Sequence, residues 1–135
     1  MGLGMFPGCQ TTLRDKRILV VEDEAIVAML VEDGLLDAGA KVLGPASSVG
    51  EALQLIERAA SDGGLSAAVL DINLNGEAVA PVADRLAALG VPFLFATGYM
   101  EGCDTGGHPA APILYKPFDP TMLVTAVEAL ASAGR

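Results

Sequence analysis

The sequence is short of basic residues, of cysteine and of long apolar runs, and each shortage excludes something. Eight lysines and arginines stand against seventeen aspartates and glutamates, a formal charge of −9. That balance argues against direct nucleic-acid binding, because phosphate contact needs a basic face. It suits a soluble chain that handles cations or meets a basic patch on a partner. The two cysteines, Cys9 and Cys103, give neither a disulfide framework nor metal-ligand spacing, and read as unpaired cytosolic thiols. No apolar run approaches the roughly 20 residues that cross a bilayer. No basic, apolar and cleavage-site succession marks export. The reading is a cytoplasmic chain with no membrane partner.

What remains is 135 residues, 52% of them apolar, enough for one domain with a single proper core. Residues 1–15, with Gly2, Gly4, Pro7 and Gly8, have no periodicity and read as a loose tail. The continuous run Ile18-Leu19-Val20-Val21 suggests a strand buried on both faces. Val27, Leu30, Val31, Gly34 and Ala38 then recur at helical spacing, with Gly39 as a stop. Val42-Leu43 reads as a short strand ended by Gly44-Pro45. Ser48 and Glu51 form a capping box for a helix with Val49, Ala52, Leu53 and Ile56 inward. Ala67–Leu70 predicts a third strand, and Val79, Val82, Ala83, Leu86 and Leu89 a third helix stopped by Gly90. Phe93–Ala96 and Ile113–Tyr115 predict two more strands. Asp119 as N-cap and Pro120 in the first turn open a last helix facing inward with Leu123, Ala126, Val127 and Leu130.

Strand–helix alternation of this kind predicts an α/β fold, a parallel sheet with helices on both faces. The six glycines and prolines between Thr97 and Ile113 (Gly98, Gly102, Gly106, Gly107, Pro109, Pro112) shorten or abolish the helix expected there. No internal repeat, linker or second domain appears along the chain.

Ligands of open parallel sheets bind beyond the carboxyl ends of the strands. Those ends carry Glu22-Asp23-Glu24, Asp71, Thr97 and Lys116-Pro117. Singly, each has a plain alternative. The acidic run could cap a helix and favour its dipole. Asp71 could form a turn, Thr97 could precede one, and Lys116 could be a solvated surface lysine. Together they make a hard-oxygen site suited to Mg²⁺, with Mn²⁺ as a substitute, where mutually repelling carboxylates are offset by the cation and by Lys116. Asp71 would then serve as a carboxylate nucleophile. A phosphoryl group landing on it would meet Mg²⁺, the Thr97 hydroxyl and the Lys116 ammonium.

The segments Val20–Glu24, Val69-Leu70-Asp71, Ala96-Thr97-Gly98 and Lys116-Pro117-Phe118 resemble the receiver domain of bacterial two-component response regulators. The resemblance covers residues 16–132, nearly the whole chain, and implies a receiver domain there with no output domain after it. It implies a five-stranded parallel sheet in order 2-1-3-4-5, a flavodoxin-like receiver fold, and a histidine kinase or phosphotransfer protein as phosphoryl donor. It implies Asp71 as phosphoacceptor, Asp23 as direct Mg²⁺ ligand, Glu22 nearby through metal-bound water, and the Asn73 backbone carbonyl as a further ligand. Thr97 would move to the new phosphoryl group, Lys116 would ion-pair with it, and the Lys116–Pro117 peptide would be cis. Such a protein is a phosphoacceptor rather than an enzyme, a monomer or weak dimer that signals to a downstream protein partner.

The sequence also departs from that pattern. The switch aromatic usual three residues before the lysine is Ile113, and the available aromatic is Tyr99. Phe95-Ala96-Thr97-Gly98-Tyr99 resembles a mostly stand-alone α-proteobacterial subgroup of receivers, which makes Tyr99 the candidate switch beside Thr97. His108, in the Gly/Pro-rich stretch, reads as a solvated loop histidine. The alternatives are a receiver piece of a hybrid kinase or larger regulator, a phosphorelay intermediate, or a phosphate sink. An aspartyl phosphohydrolase wants a second Asp where Asn73 stands. A flavin carrier wants a phosphate loop where Glu22-Asp23-Glu24 stands, and those acids repel phosphate.

Overall fold

The computed structural model describes residues 13–74, 76–98, 107–108, 111–116 and 118–133, without the side chains of Asn73 and Ala133. Both cysteines, Tyr99, Pro117 and most of the stretch expected to hold an irregular helix lie outside these residues, as does tail 1–12.

Five strands form a parallel sheet: β1 (Arg17–Val21), β2 (Lys41–Ala46), β3 (Ala67–Asp71), β6 (Phe93–Thr97) and β7 (Ile113–Tyr115). Their order is β2-β1-β3-β6-β7, which is 2-1-3-4-5 when the strands of this sheet alone are counted. Between them run α1 (Ala25–Asp37), α2 (Val49–Ala60) and α3 (Ala80–Ala88), and α4 (Pro120–Ala133) closes the chain. The strand alternation sends residues to two cores. Leu19, Val21, Leu70 and Phe95 face α2 and α3, while Ile18, Val20, Val69 and Leu94 face α1 and α4. Strands covered on both faces are the reason these segments read as unbroken apolar runs. Each fully buried Leu or Phe stabilises the fold by about 1.5–3 kcal/mol.

The helix ends follow their sequence signals. Ser48 Oγ accepts the Glu51 N–H at 3.1 Å, and the Glu51 carboxylate reaches back to the Ser47 N–H at 3.0 Å. Asp119 Oδ1 accepts the Met122 N–H at 2.9 Å and so caps α4.

Four expectations change. Leu13, read as tail, is fully buried among the α1 and α4 core residues, and its N–H donates to Ala38 O. Leu30, one of the residues set at helical spacing, is 52% exposed; α1 buries Ala28, Val31 and Leu35. This helix is apolar nearly all round, so spacing alone leaves its inner face ambiguous. Leu89, one of the residues that mark the third helix, is the C-cap of α3 and is exposed. Finally, β2 does not stop at Gly44-Pro45 but runs on to Ala46, with a register shift opposite Leu19 and Val21. An edge strand tolerates such a bulge. Gly44 lies at φ +101°, and a Cβ there would stand 2.7 Å from Val20 O, so only glycine fits.

A short antiparallel hairpin, β4 (Asn73–Leu74) and β5 (Glu77–Ala78), follows β3 and was not foreseen. Glu77 Oε1 accepts the Val49 N–H at 3.3 Å, tying the hairpin to the start of α2.

Candidate functional site

Every strand end singled out in the sequence arrives at one edge of the sheet. Glu22 follows β1 directly, and its N–H donates to Ala46 O at 2.9 Å, which fixes the chain as it leaves the sheet. Asp71 is the last residue of β3 and Thr97 the last of β6. Lys116 follows β7, and its N–H donates to Thr97 O at 2.7 Å, so the parallel ladder itself sets lysine beside threonine. Glu22, Asp71 and Thr97 are the buried polar residues among those described, at 4%, 6% and 4% exposure. Burial of charged carboxylates is rare without a charge partner.

The partner is Lys116. Its Nζ lies 3.0 Å from Glu22 Oε1, 3.3 Å from Glu24 Oε1 and 3.5 Å from Asp71 Oδ2. Burial alone lowers the pKa of this ammonium. The hydrogen bond to Glu22 and the charges of Asp71 and Glu22, with Glu24 beyond them, outweigh burial and hold it above the usual lysine value. Lys116 is therefore a fixed positive charge facing the Asp71 carboxylate.

Glu22, Asp23 and Asp71 each offer a carboxylate oxygen, all within 4.8 Å of one another. Three carboxylates so close carry more negative charge than one ammonium neutralises. Their hard-oxygen chemistry fits Mg²⁺ or Mn²⁺. Asn73 sits two residues beyond Asp71 in β4.

Of the sequence candidates, Glu22, Asp23, Asp71, Thr97 and Lys116 are thus gathered at one edge. Tyr99, the candidate switch, and the Lys116–Pro117 peptide lie outside the described residues. Ile113, where the usual switch aromatic is missing, is half-buried against the α2 and α3 core.

Two residues acquire partners that the sequence reading did not give them. Glu24 is the N-cap of α1, yet its side chain makes no capping hydrogen bond and pairs with Lys116. The capping alternative for the acidic run is therefore not what this side chain does. Its place in that run was the available signal, but the direction of a long side chain is not legible there. His108 is not simply solvated. Its Nε2 lies 2.8 Å from Asp84 Oδ1, and its ring stands edge-on to Phe93 at 5.2 Å. Phe93 opens β6 and Thr97 ends it, so this pair sits at the opposite end of the strand from the carboxylates.

No family model matches the sequence, and no curated protein matches it. Solved structures do. The chain is similar to SdrG from Sphingomonas melonis Fr1, with 41% identity and a TM-score of 0.72, over 86% of this chain and 96% of that one. It is similar to a response regulator receiver protein from Sinorhizobium medicae WSM419, with 31% identity and a TM-score of 0.74, over 91% of this chain and 99% of that one. It is also similar to the response regulator PhyR from Brucella abortus, with 28% identity and a TM-score of 0.69; the match covers 90% of this chain but 49% of PhyR.

Proposed function

The chain belongs to the response regulator receiver family, and from that premise we propose that it is a phosphorylation-activated signalling switch. Asp71 accepts a phosphoryl group from a phosphohistidine of a histidine kinase or histidine phosphotransfer protein. A carboxylate oxygen of Asp71 forms the new bond to phosphorus while the phosphorus–nitrogen bond breaks, and the leaving imidazole takes up a proton from water. The observation that carries this reading is the Asp71 carboxylate, nearly buried at a strand end, with the Lys116 ammonium 3.5 Å away and two further carboxylates beside it.

Glu22, Asp23, Asp71 and the Asn73 backbone carbonyl would hold Mg²⁺. When bound, that ion supplies positive charge against the oxygens of the transferred group. Lys116 supplies a second positive charge, and Thr97, beside it on the ladder, supplies a hydroxyl donor. Phosphoryl transfer gains most from such positioning and charge stabilisation. The protein accepts and loses the group by its own chemistry and turns over no other substrate. Phe95-Ala96-Thr97-Gly98-Tyr99 supports placing it in the stand-alone subgroup, with Tyr99 as the aromatic that responds to Thr97.

A donor protein must bring its phosphohistidine to the edge occupied by Asp71. Beside that edge α1 begins, and Ile26, Met29 and Leu30 stand 75%, 58% and 52% exposed on it. These apolar side chains suit a protein contact, and we assign the donor's docking surface to them. Among the described residues no helix is long and apolar enough to cross a membrane. A second reading, a receiver within a longer regulator, draws support from PhyR, of whose length the chain spans 49%.

The test is intact mass after incubation with Mg²⁺ and acetyl phosphate or a phosphorylated kinase. The reading expects one phosphoryl adduct, absent in Asp71→Asn. No adduct from any donor would overturn it.

A further inference from the structure

Lys116 faces three carboxylates, and they are not equivalent. Glu22 and Asp71 belong to the cluster of three that suits a divalent cation; Glu24 does not. A cation in the cluster competes with the ammonium for Glu22 and Asp71 by like-charge repulsion and by occupying their oxygens. It leaves Glu24 alone. Glu24 is also the only one of the three with a well-exposed side chain, 62% against 3% for Glu22 and 9% for Asp71. Its carboxylate is turned away from the helix N–H groups that an N-cap side chain ordinarily serves. Its backbone N–H meanwhile donates to Glu22 Oε2 at 3.1 Å. One residue therefore steadies a cluster carboxylate with its main chain and holds the lysine with its side chain.

We infer that Glu24 is a positioning residue that restrains Lys116, and that its pair with the ammonium competes with the contact Lys116 makes to a phosphoryl group on Asp71. The inference rests on the phosphoacceptor reading of Asp71. Glu24 would oppose the phosphorylated state and hold down its occupancy, acting through Lys116 rather than by touching the transferred group. An exposed ion pair of this kind is weak. Its effect is a trim on affinity rather than a switch.

Beryllofluoride, a phosphoryl mimic, tests this in the presence of Mg²⁺, with binding followed by calorimetry or ¹⁹F NMR. Glu24→Gln should bind it about two- to fivefold more tightly than the unaltered chain. Glu24→Asp keeps the charge, offers a better helix cap, and draws the carboxylate back by one methylene. It should behave like Glu24→Gln. In a Lys116→Met background, Glu24→Gln should change nothing, because there is no ammonium left to restrain. The inference is overturned if Glu24→Gln leaves the affinity unchanged or weakens it. It is overturned equally if Glu24→Asp binds like the unaltered chain, which would point to general charge repulsion. A gain that persists without Lys116 has the same meaning. If Lys116→Met binds no beryllofluoride, the Glu24→Asp comparison decides. An unaltered chain that binds none overturns the phosphoacceptor reading itself, and this inference with it.

Discussion

Lys116 is the residue on which the charge balance of the site turns. Replacing it with methionine leaves Glu22 and Asp71 facing one another without the ammonium. The apo protein should melt at a lower temperature, and added Mg²⁺ should raise the melting temperature of Lys116→Met by more than that of the parent, since the cation then relieves a larger repulsion. The pH dependence has a definite sign. Lys116 is raised in the folded protein from 10.5, so its contribution is fully present below that pH and is lost as pH climbs through the higher folded value. The urea midpoint of the parent should fall in that alkaline window, and Lys116→Met should lack this part of the fall. The exposed Glu57–Arg85 pair, at 2.6 Å, makes the opposite case. The hydrogen bond from Arg85 lowers Glu57 from 4.5, desolvation works against it, and the Arg85 charge adds to the lowering. Its contribution is present above 4.5 and vanishes as pH falls through the lower folded value. The small stability gap between the parent and Glu57→Gln should therefore close in acid. At this scale the sequence was legible where type and strand-end position sufficed, as for Asp71, Thr97 and Lys116. It was not legible for Glu24 or His108, whose partners lie 92 and 24 residues away and depend on side-chain direction.

The elements were legible in proportion to their patterning. The central strands β1, β3 and β6 announced themselves as apolar runs because two helical layers cover them. The hairpin β4–β5 did not, because two-residue strands are too short to show a period. In α1 the opposite difficulty held: too many apolar residues blurred the face, and the set at helical spacing took in the exposed Leu30. That helix packs against α4 through Gly34, where a Cβ would approach Pro120 Cβ to 3.2 Å. Gly34→Leu should force the two helices apart and destabilise the fold by about 1–3 kcal/mol in urea unfolding. Asp119→Ala should remove the α4 cap and destabilise by about 1 kcal/mol in the same assay. The Met122 amide should then exchange its hydrogen faster.

At the scale of the whole molecule, alternation of strands and helices was enough to foresee the layers, while the strand order came only with the resemblance to receiver domains. The outward surface was not foreseen, because spacing separates inside from outside only when the outside is polar. Ile26→Asp together with Leu30→Asp should slow phosphotransfer from a phosphorylated kinase by tenfold or so, as a small apolar hot spot would. Labelling by acetyl phosphate should be unaffected, since that donor needs no docking surface; intact-mass time courses with the two donors check this. One feature of the sheet reaches further. The pair between Lys116 and Glu22 joins residues 94 apart in the chain. The lysine is delivered by β7, an edge strand of three residues. Nascent chains that end before β7 therefore hold the carboxylates without their counter-charge, and the site is among the last things folding completes. In the finished protein, fraying at that edge and loss of the ammonium are a single event.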